Sequence, residues 1–305
     1  MIRKLFFSTL SLLCMVGAAQ NSITVEAGYA LIDKAAKVEL LAEGLSFTEG
    51  PAADKQGDVY FTDQPNDRIM KWSVTDNKLS VFLENTGRAN GLYFDKKGNI
   101  LACSDMDNEL WKIDMKGNHT VLINGFEGKK LNGPNDLWIH PTKGDIYFTD
   151  PLYKRSYWTR DPAMQMDGQH VYYRSADGKQ LLKVATDLKQ PNGIIGTPDG
   201  KHLYVADIGA GKTYRYDIRK DGALTNKKLF CELGSDGMTI DNKGNIYLTG
   251  KGVTVFNPEG KKIAHIPVEA KWTANVCFGG KDRNILFITA SEYLYSLKMN
   301  VKGAR

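Results

Sequence analysis

Six oxygen-bearing side chains stand at one repeated place in this sequence of 305 residues: Glu49, Asn90, Asn135, Asn192, Asp236 and Asn275. Each lies 11 or 12 positions ahead of the centre of a recurring phrase, GDVYFTD at 57, GNILACSD at 98, GDIYFTD at 144, KHLYVAD at 201, GNIYLTG at 244 and RNILFITA at 283. Two carboxylates and four amides gathered at one point would form an all-oxygen donor set for a hard divalent cation. Calcium is the first choice, because it accepts six to eight oxygens in loose geometry. Zinc, magnesium or manganese can take its place in a site that keeps open positions. Taken singly, these residues are also turn formers, since Asn90-Gly91, Asn192-Gly193 and Asp236-Gly237 are strong turn signals. Glu49 ahead of Gly50-Pro51 is a poor turn former, and Asn135-Asp136 and Asn275-Val276 lack the glycine. The set as a whole therefore points to a ring of oxygens.

A ring needs elements that bring six distant segments to one axis. Anchored on Tyr60, Leu101, Tyr147, Tyr204, Tyr247 and Leu286, the phrases recur at spacings of 41, 46, 57, 43 and 39 residues. Such periods fit four short antiparallel strands per repeat. Turns such as Asp54 to Gly57, Asp95 to Gly98 and Asp241 to Gly244 precede the anchor strands, as expected of consecutive hairpins. The fold class expected is all-β: a six-bladed β-propeller, in which the segments entering the innermost strands face a central channel. The last repeat stops after its third strand. The segment from Lys37 to Gly44 has the character of the missing fourth strand, and it is expected to close the ring and cover the exposed edge. A helical pattern is absent after the leader, apart from an ambiguous stretch near Tyr29 to Lys37.

Residues 1–20 have the layout of a secretory signal peptide, with Arg3 and Lys4, an apolar run to about Gly17, then Ala18 and Ala19. A secreted, periplasmic protein is expected, with residues 21–305 forming one propeller domain. No other run approaches the roughly 20 apolar residues of a membrane span. Without Arg3 and Lys4 the 40 basic residues become 38 against 35 acidic, a charge of +3, which implies no nucleic-acid partner. Cys103, Cys231 and Cys277 remain after export, an odd number that suits buried free thiols better than a disulfide framework. None of the five histidines occupies the ring position; His140, in the inner strand of the third blade, is the one to inspect.

The longest spacing holds an insertion after GDIYFTD, PLYKRSYWTRDPAMQMDGQ, carrying Tyr153, Lys154, Arg155, Tyr157, Trp158 and Arg160. It leaves a strand whose far end should lie at the channel mouth. A lid or wall is expected, with Tyr153, Arg155, Tyr157 and Trp158, together with Asn90 and Asn275, as candidate substrate-binding residues.

Glu49-Gly50-Pro51, Pro134-Asn135-Asp136, Pro191-Asn192-Gly193, Asp236-Gly237-Met238 and the late phrase NVCFGGKDRNILFIT resemble the gluconolactonase and regucalcin (senescence marker protein) family. The resemblance implies calcium-supported hydrolysis of a lactone. It implies Glu49, Asn192 and Asp236 as metal ligands, Asn135 as a ligand or substrate contact, and Asp236 as base or nucleophile. Members resembling regucalcin carry an arginine where this chain has Gly133, so their sugar contacts do not transfer intact. The ring also resembles that of diisopropylfluorophosphatase, which leaves a phosphorus ester or anhydride as an alternative substrate. A non-catalytic periplasmic sugar-binding propeller is the other alternative. The natural lactone, the native metal and the oligomeric state are not readable from the residues.

Overall fold

Aspartate and glycine together cut this chain into short strands. Asp54 Oδ1 accepts the N–H groups of Gln56 at 2.9 Å and Asp58 at 3.0 Å, and Gly57 turns the chain with a φ of 92°. Asp95 with Gly98 and Asp241 with Gly244 repeat the device. Glycine carries this left-handed backbone without steric cost. The computed structural model describes residues 22–304. The secretory signal expected over residues 1–20 lies outside them.

The strands form six antiparallel sheets arranged in a ring, a six-bladed β-propeller. Blade one is Thr48–Ala53, Val59–Asp63, Arg68–Ser73 and Lys78–Glu84, ordered from the axis outward. The innermost strands of the other blades are Ala89–Phe94, Leu137–Ile139, Pro191–Gly196, Met238–Ile240 and Thr273–Gly279. The anchor phrases form the second strand of each blade and are buried on both faces, as at Val59–Asp63 and Ile146–Asp150. That explains their unbroken apolar character.

Closure follows the expectation. Glu39–Ala42 pairs with Tyr293–Lys298, Glu39 opposite Ser296 and Leu40 opposite Tyr295, and completes blade six. Leu41, Ala42 and Leu45 then pack with Val59, Phe61, Phe287 and Leu294 between blades six and one. Comparable apolar clusters fill the other gaps between blades. The stretch from 29 to 37 is not helical. It runs as bends and turns with Leu31 buried among residues of blades five and six, and Thr24–Val25 adds a fifth strand to blade five. The three cysteines Cys103, Cys231 and Cys277 are free and buried. No helix among the described residues is long and apolar enough to cross a membrane.

The closing strand and the segment ahead of it therefore contribute differently. A chain starting at Leu45 leaves blade six with an open edge and should lose cooperative thermal unfolding. Leu31→Ala leaves the ring closed and should cost about 2–5 kcal/mol, the usual range for a buried leucine. Denaturant titration followed by circular dichroism measures both.

Candidate active site in the central channel

Carboxylates at the ends of the second strands set where the ring residues stand. Asp63 Oδ1 accepts the N–H groups of Ser46 at 2.9 Å and Phe47 at 3.2 Å, just ahead of Glu49. Asp150 receives those of Asn132 and Gly133, both at 2.9 Å, ahead of Asn135. Asp207 receives those of Lys189 and Gln190 at 2.8 and 2.9 Å, ahead of Asn192. The repeated Thr-Asp or Ala-Asp ending of the anchor phrase is thus a clamp on the chain entering the innermost strand. The glycines after the ring residues are not turn glycines. A Cβ on Gly91 would come 2.5 Å from the Asn135 carbonyl oxygen, and one on Gly193 2.8 Å from the Asp236 carbonyl oxygen. At Gly91 and Gly193 the reason is a neighbouring backbone that passes that close, and at Gly237 it is the Asn275 side chain.

Register corrects one expected member of the ring. Gly91 N–H donates to the Asn135 carbonyl at 2.7 Å, and the corresponding Gly237 N–H donates to Ala274 at 2.8 Å, not to Asn275. Thr48 opposite Asp63 and Thr273 opposite Ala290 give the same alignment. The sixth ring position is Ala274. Asn275 lies one residue further along the strand, where it reaches Asp136 Oδ2 with its Nδ2 at 3.5 Å. Asp136, which sequence reasoning left out of the site, occupies the matching place in blade three.

Glu49, Asn192 and Asp236 come together with the insertion above them. Asp236 Oδ1 accepts Asn192 Nδ2 at 2.7 Å, and its Oδ2 accepts the indole N–H of Trp272 at 2.6 Å. Asn192 Nδ2 also donates to Tyr153 Oη at 2.8 Å. Glu49 is buried, and its Oε2 accepts the Gly50 N–H at 3.0 Å. Asn90 and Asn192 each keep a buried Oδ1 with no partner. Asn135 is buried at the same level, but among the described residues no hydrogen bond joins its side chain to another ring member. Trp272, which precedes the blade-six inner strand, carried no signal in the sequence.

The charges here are poorly balanced. Burial holds the Glu49 carboxyl well above its ordinary range; the nearby charge of Asp236 adds to this, and the Gly50 N–H opposes it. Burial also raises Asp236, against the hydrogen bonds from Trp272 and Asn192 and the charge of Arg155. Asp136 is pushed up to about 7, by burial first. Two recessed carboxylates beside unpartnered amide oxygens suit a hard cation, which would relieve both deficits. Among the described residues no cluster of three or more His, Cys, Asp and Glu could hold a metal. An ion here would rest on Glu49 and Asp236 with amide oxygens completing its shell.

The insertion lies over this end of the channel. Arg155 sits over the Tyr153 ring at 4.9 Å, and Arg88 over the Tyr157 ring at 4.6 Å. Tyr157 Oη is buried without a partner. A cavity of about 690 Å³ opens at the other end, with Asp136, Asn275, Trp138, Ile194 and Phe278 in its wall. His140 is not in the inner strand of blade three, which ends at Ile139, but follows it toward that other end, where its Nδ1 faces the N–H groups of Thr142 and Lys143, both at 3.3 Å. It takes no part in the ring.

Residues 47–292 match the family model described as "SMP-30/Gluconolactonase/LRE-like region". The gluconolactonase of Zymomonas mobilis is 28% identical over 304 residues, covering 90% of this chain and 84% of that protein. The solved gluconolactonase of Xanthomonas campestris superposes with a TM-score of 0.83 at 29% identity, over 91% of this chain and 93% of that one. A calcium-binding regucalcin from Agrobacterium tumefaciens shares the fold with a TM-score of 0.74 at 21% identity, over 87% and 94% of the two chains. With its fold, its clamped channel residues and a match over most of its length, the chain belongs to the SMP-30/gluconolactonase/LRE-like family.

Proposed function

We propose that this protein is a divalent-cation-dependent hydrolase that opens a sugar-derived lactone, working outside the cytoplasm after removal of residues 1–20. The observation that carries this reading is the recessed pair Glu49 and Asp236 beside unpartnered amide oxygens, in a chain whose relatives include gluconolactonases. Calcium, or zinc, magnesium or manganese, held by Glu49, Asn192 and Asp236 with Asn135 near by, would polarise the ester carbonyl when bound.

Asp236 is the group suited to proton transfer. Its oxygens are oriented by Asn192 and Trp272, and it keeps partial exposure to the channel, unlike the buried Glu49. An ionised Asp236 either takes the proton of the water that attacks the acyl carbon or attacks that carbon itself. In both cases the ring oxygen leaves as an alcohol that must gain a proton, and in the second a water must then cleave the acyl–aspartate anhydride to release the acid and restore the carboxylate. Tyr153 and Asn192 hold the wall against which the substrate lies.

Asp236→Asn should lower kcat by about 10²- to 10⁴-fold, because an amide accepts no proton. Glu49→Gln should recover much of its rate in excess calcium, as expected of a residue that only binds the ion. Proton release over a panel of sugar lactones, with and without chelator, tests both variants. A phosphotriester belongs in the same panel, and its turnover in place of every lactone would overturn the reading. Binding of sugar lactones without turnover would do the same.

Trp272→Phe removes a hydrogen bond that favours the charged form of Asp236, so the acidic limb of kcat/KM should move to higher pH. Stability has its own pH dependence. Glu49 and Asp236 have folded-state pKa values raised above their unfolded ones, so their contribution is present at low pH and lost as pH rises through the raised values. Calcium competes with those protons. Its increment in melting temperature should therefore be larger at pH 8 than at pH 5.5, which differential scanning fluorimetry can measure.

A further inference from the structure

The insertion is held by a carboxylate that belongs to a different blade. Asp105 follows Ile100–Ser104 of blade two and is 4% exposed. Its Oδ2 accepts the indole N–H of Trp158 at 3.1 Å and Gln64 Nε2 at 3.3 Å. Arg160 Nη2 lies 3.4 Å from Oδ1, and Arg155 Nε 3.9 Å from Oδ2. Arg160 also donates to the Asn132 carbonyl at 2.6 Å, and its guanidinium covers the Trp158 ring at 3.5 Å. Three side chains of the insertion thus converge on one buried acid.

The space for this contact exists because residue 133 is glycine. A Cβ there would stand 2.3 Å from Asp105 Oδ1 and 3.0 Å from Arg160 Nη2. The docked insertion also holds a buried donor without a hydrogen-bond partner, Tyr157 Oη, and brings the charge of Arg155 to Glu49 and Asp236. In the ring, Asn90, which lies outside the proposed cation ligands, keeps a buried acceptor without a partner, its Oδ1. A hydroxyl group both donates and accepts, so a polyhydroxylated substrate between insertion and ring can satisfy both.

We propose that Asp105 is a positioning residue that docks the insertion over the channel and so makes Tyr157 and Arg155 the hydroxyl-recognising wall of the substrate site. The recognition part rests on the lactone reading, whereas the docking part stands without it. Removing Asp105 frees the insertion more than the blades, because the strands on either side keep their own pairing, Asp150 opposite His170 and Thr149 opposite Val171.

The test uses the full chain with Asp105→Ala, Asp105→Asn and Gly133→Ala. Limited trypsin digestion reads docking through cleavage after Lys154, Arg155 and Arg160. Steady-state kinetics on the best lactone reads recognition. Asp105→Ala should be cut at these sites at least about tenfold faster than wild type, since cleavage follows local opening. Its KM should rise about tenfold or more while kcat stays within about threefold, the signature of lost uniform binding. Asp105→Asn, which keeps an acceptor for Trp158, should fall between, and Gly133→Ala should resemble Asp105→Ala. Unchanged cleavage in all three variants overturns the docking role. An equal fall in kcat and kcat/KM overturns the recognition role. If the wild type turns over no lactone, the proposed function fails by itself, while the cleavage rates still decide whether Asp105 docks the insertion. If Asp105→Ala does not fold, Asp105→Asn and Gly133→Ala carry the same two readouts.

Discussion

Six strands converging on one axis leave almost no room where they come closest, and the design of the channel follows from that crowding. Gly50, Gly91, Gly193 and Gly237 mark the narrow level, where an added Cβ would come within 1.9 to 2.8 Å of the next blade. Only blades three and six place a larger side chain there, Asp136 and Asn275, and each lies against one of these glycines: Asp136 against Gly91, Asn275 against Gly237. The residue before each glycine is consequently the first that can extend a functional group toward the axis. Glu49, Asn90, Asn192 and Asp236 stand there: Glu49 is paired with Thr62, and the residues ahead of Asn90 and Asn192, Ala89 and Pro191, are paired with Ser104 and Asp207 of the second strands.

Convergence also concentrates charge. Glu49, Asp236 and Asp136 are all raised by burial, and Arg155 is the cation that eases the first two. Desolvated carboxylates with so little compensation are unfavourable for stability on their own. Their retention makes sense where a positive ligand completes them. On the proposed reading a bound cation would offset these charges, which would link ion binding to the stability of the fold.

The two ends of the channel differ in kind. One end carries the polar ring and is covered by the insertion, whose cations and aromatics stack on one another, Arg160 on Trp158 and Arg155 on Tyr153. The other opens into a cavity walled largely by apolar side chains such as Leu92, Ile194 and Val276. Among the described residues, it is at the first end that the Glu49 and Asp236 carboxylates, unpartnered amide oxygens and the Trp272 and Tyr153 donors meet.

Blade number, strand order and closure were legible in the residues because each rests on local signals. Asp-x-x-Gly turns, doubly buried anchor strands and a repeat lacking its fourth strand are all properties of short segments. Glu49, Asn192 and Asp236 were legible too, since equivalent positions in a closed ring must converge. Asn275 was misplaced by one residue: both it and Ala274 fall within the 11- to 12-residue spacing from Leu286, and only the hydrogen bond from Gly237 to Ala274 separates them. Asp105 and Trp272 were invisible for a different reason. Their partners, Arg160 and Trp158 for the one and Asp236 for the other, lie 36 to 55 residues away in sequence, and no local pattern encodes which loop will meet which. The sequence by itself determined the elements, their count and the kind of atoms brought to the axis. Tertiary structure alone decided the register of the last blade and which carboxylate holds the insertion, because both depend on contacts between blades that no single repeat contains.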